Sequence, residues 1–240
     1  MNLTLDIGNS LHKIAVFSND EIVYNQSYPL ISEELLTSVI HKFPIEFSII
    51  SSVAEVDAHV IDFLALKTKM IPYSHQTPLP ITVLYKSVET LGLDRIANAV
   101  GAAALFPNEN VLSIQAGTCL VFDFVNAKGE YIGGSISPGM KMRFEILHKK
   151  TKNLPLLRAI NCSRPFLGTN SEESILSGVI NGMCCEMVGF IENYKANYEN
   201  VVVLITGGDA PYLQKSIKNT IFAAPNLVLK GLHEIIKYNV

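Results

Sequence analysis

Three short stretches of this 240-residue chain combine glycine with residues that bind phosphate or handle protons. The first is Asp6-Ile7-Gly8-Asn9-Ser10, a carboxylate at the end of an apolar run, then a glycine turn and a hydroxyl. Glycine lets the backbone approach a ligand closely, and turn amides can hold phosphate oxygens. A carboxylate placed there can hold Mg²⁺, usually through water. The second stretch is Gly117-Thr118, again glycine with a hydroxyl. The third, Thr206-Gly207-Gly208-Asp209, follows the unbroken apolar run Val201–Ile205. Open α/β sheets bind ligands beyond the carboxyl ends of such strands. Any one of these turns has ordinary tight-turn composition. Their order along the chain is what points to phosphate chemistry. A fourth pair, Asp94-Arg95, stands before an Ala-rich segment. An aspartate can orient a hydroxyl and accept its proton, and an arginine can hold a carboxylate or phosphate in a fork. By residue type alone, a helix cap for Asp94 and a surface ion-pair partner for Arg95 are the preferred readings.

The elements that must position these residues repeat. Gly8 and Gly117 lie 109 residues apart, and the match extends on both sides without a gap. Leu3–Ile7 aligns with Leu112–Ala116, His12–Phe17 with Val121–Asn126, and Glu21-Ile22-Val23 with Glu130-Tyr131-Ile132. Each copy reads as strand, glycine turn, strand, polar turn, strand, a hairpin meander. Two copies predict two lobes of one topology sharing a cleft, with the boundary near residue 110 at Pro107-Asn108-Glu109-Asn110. The first lobe, 1–110, carries the first glycine turn and Asp94-Arg95. The second, 111–240, carries the other two turns. Between them, Ser32–Phe43, Val56–Leu66, Arg95–Leu105 and Ser171–Tyr198 have helical spacing, the last with a break expected near Gly189. Ser32 is a good N-cap type, although Leu35 stands where a capping box wants an acid or amide. Phe47–Ser51, Ile71–Tyr73 and Val201–Ile205 read as strands. Alternating strands and helices give an α/β class.

Composition narrows the function. Hydrophobic residues are 48% and charged residues 17% of the chain, which supplies a core and excludes a disordered chain. The balance of 19 basic against 22 acidic residues gives no electrostatic footprint for nucleic acid. No apolar run approaches the ~20 residues that span a bilayer, so no membrane role is expected. The start MNLTLDIGNS has no export-signal pattern. Cys119, Cys162, Cys184 and Cys185 lack metal-site spacing and read as reduced thiols of a cytoplasmic protein. His12, His41, His59, His75, His148 and His233 show no metal-ligand pairing in their spacing.

The ordered turns resemble the actin-like ATPase and sugar-kinase superfamily, with its two phosphate loops and adenosine loop. The chain is more specifically similar to the type III pantothenate kinase family. Tyr85, the segment Thr90-Leu-Gly-Leu-Asp94-Arg95-Ile-Ala-Asn98, Gln115-Ala-Gly-Thr118 with Asp123, and Gly129–Gly139 carry that similarity, with Leu154-Pro155 and Gly168–Ser171 running into Ser177-Gly178. The resemblance implies two ribonuclease H-like lobes about a central cleft. It implies ATP-dependent phosphorylation of pantothenate to 4′-phosphopantothenate, the first step of coenzyme A biosynthesis. In such a protein, the stretch Asp6, Ile7, Gly8, Asn9, Ser10, Leu11, His12 and Lys13 holds ATP phosphates, with Asp6 near Mg²⁺. Thr118 contacts ATP, and Gly207 and Gly208 lie near adenosine. Pantothenate contacts Tyr85, Gly92, Leu93, Asp94, Arg95 and Ser171, the last usually a threonine, and Asp94 accepts the hydroxyl proton. The family is also homodimeric. A non-catalytic nucleotide-binding regulator of the same fold is the alternative.

One residue departs from the pattern. The family begins its second loop with an aspartate that binds an activating monovalent cation, K⁺ or NH₄⁺. Here the position is Gln115. A neutral carbonyl oxygen still coordinates K⁺, with weaker electrostatic attraction. Turnover is therefore expected to differ little among Na⁺, K⁺ and NH₄⁺ buffers of matched ionic strength. A sharp K⁺ requirement would contradict this reading of Gln115.

Overall fold

The computed structural model describes residues 1–9, 11–52, 57–158, 166–215, 217 and 221–240. Ser10, Val56 and Cys162 lie outside them. The chain forms two units: Met1–Asn108 with Val125–Gly133 and Asn226–Val240, and Glu109–Phe124 with Gly134–Pro225.

Unit 1 opens with the expected meander, β1 (Asn2–Ile7), β2 (His12–Ser18) and β3 (Glu21–Tyr28). Helix α1 (Glu33–Lys42) follows, and the Ser32 Oγ accepts from the Leu35 amide at 3.3 Å, so half of the capping box forms. Then come β4 (Phe47–Ser52), α2 (Ala58–Lys67), β5 (Lys69–Ile71) and β6 (Thr82–Val83). Strand β5 ends at Ile71, short of the expected Tyr73, because Pro72 has no N–H to continue the ladder. Tyr73 instead donates its hydroxyl to the Leu93 carbonyl at 2.8 Å. Helix α3 (Leu93–Leu105) starts two residues before Arg95, since the Gly92 carbonyl accepts from the Arg95 and Ile96 amides. Asp94 is thus inside the first turn and Gly92 is the cap.

The first sheet has the order β3-β2-β1-β4-β5, with β1 antiparallel to β2 and parallel to β4. Leu3, Leu5, Ile7, Ile14 and Val16 pack with Leu36, Val39, Val60 and Leu64 of α1 and α2. A second cluster joins Ile49 of β4 to Ala97 and Val100 of α3 and to Leu232, Ile235 and Ile236 of the C-terminal helix Leu227–Tyr238. That helix returns the end of the chain to the first unit. It crosses α3 where a Cβ on Gly231 would lie 1.7 Å from the Ala97 carbonyl oxygen. A Cβ on Gly101 would lie 2.5 Å from the Leu227 carbonyl oxygen.

The second meander is β7 (Asn110–Ala116), β8 (Cys119–Val125) and β9 (Glu130–Pro138). Its first turn is only Gly117-Thr118, two residues tighter than the loop between β1 and β2. In unit 1, β6 pairs in parallel with Glu130 and Tyr131. Helix α4 (Met140–Lys150) follows, then α5 (Ser171–Leu176), a π-turn over Ser177–Asn181, and α6 (Gly182–Asn197). The irregularity expected at Gly189 lies instead at the π-turn. Gly189 sits in regular helix, where a Cβ would meet nothing within 4 Å. Against the expectation of no such run, the helical run 171–197 is long and apolar enough to cross a membrane by length and composition alone. Its residues Ile180, Met183, Met187 and Ile191 belong to the core of unit 2, with Phe122, Phe124, Val203 and Ile205. Strand β10 (Val201–Thr206) runs parallel to β7, and short α7 (Ala210–Gln214), β11 (Phe222–Ala223) and α8 (Leu227–Tyr238) complete the chain.

Overpacking a tight contact costs about 1–3 kcal/mol. Gly231→Ala is expected at the upper end of that range and to lower the melting temperature by several degrees. Gly189→Ala should leave stability unchanged or raise it by roughly 0.5–1 kcal/mol. Differential scanning calorimetry of both variants checks the pair.

Candidate active site

In unit 1, Asp6 is the penultimate residue of β1, paired in register with Lys13 of β2 and Ser51 of β4. Burial raises its carboxyl to about 6, against the lowering effect of Lys13, and the charge of Asp94 raises it further. Asp6 and Asp94 are therefore electrostatic neighbours. Ile7 is buried in the core. At Gly8 a Cβ would lie 2.9 Å from the Leu11 carbonyl oxygen, so the turn requires glycine. Asn9 and Leu11 are exposed, and Lys13 is half-buried. The His12 ring Nδ1 is buried without a hydrogen-bond partner. Ser10 lies outside the described residues.

Asp94 is raised above the ordinary carboxylate range, chiefly by burial, while the Arg95 amide and charge oppose the shift. Burial also raises the Tyr73 hydroxyl, with a smaller push from Asp94, which keeps the phenol neutral. Gly92 leaves room for the acid: a Cβ there would lie 2.5 Å from Asp94 Oδ1. Leu93 is half-buried. Arg95 is 7% exposed, and its guanidinium carbon lies 5.9 Å from the centre of the Tyr85 ring. Tyr85 in turn packs on Tyr131, with ring centres 6.1 Å apart. The structure thus brings together Asp6, Lys13 and Asp94, and also Arg95 and Tyr85, within one unit.

In unit 2, Gln115 pairs in register with Thr206, and its Oε1 is buried without a hydrogen-bond partner. Thr118 is exposed at the two-residue turn. The Gly139 amide donates to the Thr118 carbonyl at 3.2 Å, and a Cβ on Gly139 would lie 2.2 Å from the Gly117 carbonyl oxygen. Gly207 has φ +99°, and a Cβ there would lie 2.2 Å from the Ala116 carbonyl oxygen. The Asp209 amide donates to that same oxygen at 3.0 Å. The three turns therefore interlock through backbone. Gly208, Asp209, Met140, Lys141, Phe144 and Tyr212 are among the residues lining a cavity of about 410 Å³. Asp209 stands at the start of α7 without a side-chain cap bond, and burial raises its carboxyl.

Ser171 is exposed at the first position of α5, where Asn170 is the cap, its side-chain oxygen accepting from the Glu173 amide at 2.9 Å. It borders a groove of about 800 Å³ with Arg143, Leu147, Leu154, Thr169 and Gly178. Ser171 belongs to unit 2, whereas Tyr85 and Gly92–Arg95 belong to unit 1.

The donors fit the ions that the resemblance implies. Asp6 is a half-buried carboxylate only partly compensated by Lys13, which suits a hard divalent cation. The orphan Oε1 of Gln115 is a neutral oxygen of the kind that suits a monovalent one. A separate group, Asp20, His233 and Glu234, places ligand atoms within 4.8 Å of one another. The Lys237 ammonium bonds both carboxylates there, at 2.7 and 2.9 Å, and already compensates them. Sequence reasoning overlooked Tyr73, Arg143 and Glu186. Only Glu186 left a trace, as the one charged residue between Glu173 and Glu192.

The fold is that of the actin-like ATPases and sugar kinases. A Baf family protein from Campylobacter jejuni described as a transcriptional activator has a TM-score of 0.60 at 19% identity, covering 99% of this chain and 98% of its own. A glucokinase from an Antarctic psychrotroph has 0.53 at 13%, covering 100% and 99%. The sequence model of the type III pantothenate kinase family matches residues 2–193, and the chain belongs to that family. It is 42% identical over 240 residues to the type III pantothenate kinase of Phocaeicola vulgatus, covering 100% of this chain and 99% of that one. With that of Cytophaga hutchinsonii it shares 42% over 242 residues, covering 100% of both.

Because burial holds Asp6 above its unfolded value of about 3.8, the folded chain binds that proton more tightly. This contribution favours folding below about pH 4 and is lost as pH rises through 6. Asp6→Asn is therefore expected to stabilise the metal-free protein at pH 8 by on the order of 2 kcal/mol. The advantage should vanish near pH 4, as measured by denaturant titration across pH.

Proposed function

We propose that this chain transfers the γ-phosphoryl group of ATP to the primary hydroxyl of pantothenate. The products are ADP and 4′-phosphopantothenate, in the first step of coenzyme A biosynthesis. The observation that carries the reading is the pair Asp6 and Asp94, two half-buried carboxylates of raised proton affinity in one unit, with Lys13 paired in register with the first and Arg95 next to the second.

The Gly8 turn amides and Lys13 bind phosphate, Thr118 contacts ATP, and Gly207-Gly208 border the adenosine. Asp6 would hold Mg²⁺, which would supply positive charge to the phosphate oxygens. Arg95 grips the pantothenate carboxylate in a fork, and Tyr85 packs against the same ligand. Asp94 accepts a hydrogen bond from the substrate hydroxyl and orients its oxygen. As that oxygen bonds to phosphorus and the bond to the ADP oxygen breaks, the proton passes to Asp94. Its raised affinity for a proton suits this late transfer. Gln115 takes the monovalent-cation position without the usual charge. The chain works as a cytoplasmic homodimer, without nucleic acid or membrane, and Ser171 borders the pantothenate site. The ligand-binding residues divide between the stretches 1–110 and 111–240.

A coupled assay with ATP and pantothenate is expected to show turnover, with Asp94→Asn lower by about 100-fold or more, the scale of general base catalysis. Undiminished Asp94→Asn turnover would remove the base. Nucleotide binding with no turnover by wild type in any cation or pH would overturn the reading.

A further inference from the structure

Glu186 is out of place in its helix. It is the one charged residue between Glu173 and Glu192, in a run apolar enough to span a bilayer. Its side chain is 22% exposed and meets Arg143 of α4, itself 21% exposed. The pair converges on the last residues of β9. The Arg143 Nη2 donates to one Glu186 oxygen, and the Ser137 hydroxyl donates to the other. The Arg143 Nη2 also reaches Ser137 Oγ at 3.2 Å, and its Nε donates to the Pro138 carbonyl at 2.7 Å. The Arg143 amide donates to the Gly139 carbonyl at 3.0 Å. The turn Ser137-Pro138-Gly139 is thus held by Arg143 at each of its three residues.

That turn touches the second phosphate loop. Gly139 donates to the Thr118 carbonyl and approaches the Gly117 carbonyl so closely that no side chain fits. It also begins α4, whose Met140 and Lys141 line the cavity beside Gly208 and Asp209. Fixing Pro138-Gly139 therefore fixes both the Gly117-Thr118 turn and one wall of the cavity. Stability alone explains the pair poorly, because well-packed apolar residues commonly match or exceed a partly buried ion pair. The planar guanidinium fork, with donors in fixed directions, is suited to setting a backbone turn in one place.

We infer that Arg143 and Glu186 are positioning residues for nucleotide binding, acting through the Ser137–Gly139 turn on Gly117-Thr118. The inference rests on the nucleotide reading of that turn. Wild type and the variants Arg143→Ala, Arg143→Lys, Glu186→Ala and Arg143→Ala with Glu186→Ala are compared by calorimetric binding of a non-hydrolysable ATP analogue. Separate KM values for ATP and pantothenate and melting temperatures accompany it. Arg143→Ala should weaken the analogue and raise the ATP KM about tenfold, with the pantothenate KM within twofold. Arg143→Lys should recover only part of the loss, because one ammonium cannot hold both Pro138 and Glu186. The double variant should be no worse than Arg143→Ala, since the two residues act as one device. If Arg143→Ala does not fold, Arg143→Lys and Glu186→Gln carry the test, each with a severalfold loss confined to nucleotide. A lower melting temperature with unchanged nucleotide constants would overturn the inference, as would equal losses for both substrates. Wild type that binds the analogue without phosphorylating pantothenate would sink the proposed reaction, while the analogue affinities would still decide the role of Arg143.

Discussion

The structure depends on an electrostatic debt in unit 1. Asp6 is half-buried near the end of a central strand, and its carboxyl is pushed up to about 6, chiefly by the loss of water. Lys13 offsets part of that cost, and Asp94 adds to it. A second carboxylate that raises the proton affinity of Asp6 is a poor arrangement for stability alone, because a desolvated charge is costly unless compensated. The arrangement makes sense if an external cation and a phosphorylated ligand complete it. Perturbed acids beside glycine turns are the signature of a site built for chemistry.

The surrounding scaffold keeps that debt in place. Asp6 cannot retreat, since its strand is paired on both sides and its neighbours Leu5 and Ile7 are core residues. Asp94 cannot retreat either, because the first turn of α3 is fixed by the Gly92 carbonyl and by the tyrosine bond to Leu93. In turn, α3 is locked against α8 by the glycine crossing at Gly101 and Gly231. In unit 2 the same economy of side chains recurs. Gly139 and Gly207 let three turns meet through backbone contacts that any side chain would block.

The sequence carried the repeated part of this design. The 109-residue offset marks both meanders, and β3 and β9 begin at residues that match under it, Glu21 and Glu130. Periodic apolar residues marked α1 and the strands at Phe47 and Val201, because burial on one or both faces writes a local pattern. Non-local features wrote none. The π-turn at Ser177 follows from packing that spacing along one helix does not report, so the break was expected at Gly189 instead. Helix α8 returning to unit 1 and the clamp of Arg143 on Pro138 join residues distant in the chain. Asp94 was legible as an acid near a helix start, but whether it capped that helix or lay within it depended on Gly92 being the cap.

The central claim is that Asp6 is held only partly compensated, ready for a divalent cation bound with nucleotide. The most direct test is the melting temperature with a non-hydrolysable ATP analogue, with and without Mg²⁺, at pH 8. The account predicts that Mg²⁺ adds several degrees beyond the analogue alone in wild type and adds little in Asp6→Asn. An equal Mg²⁺ increment in both proteins would contradict it.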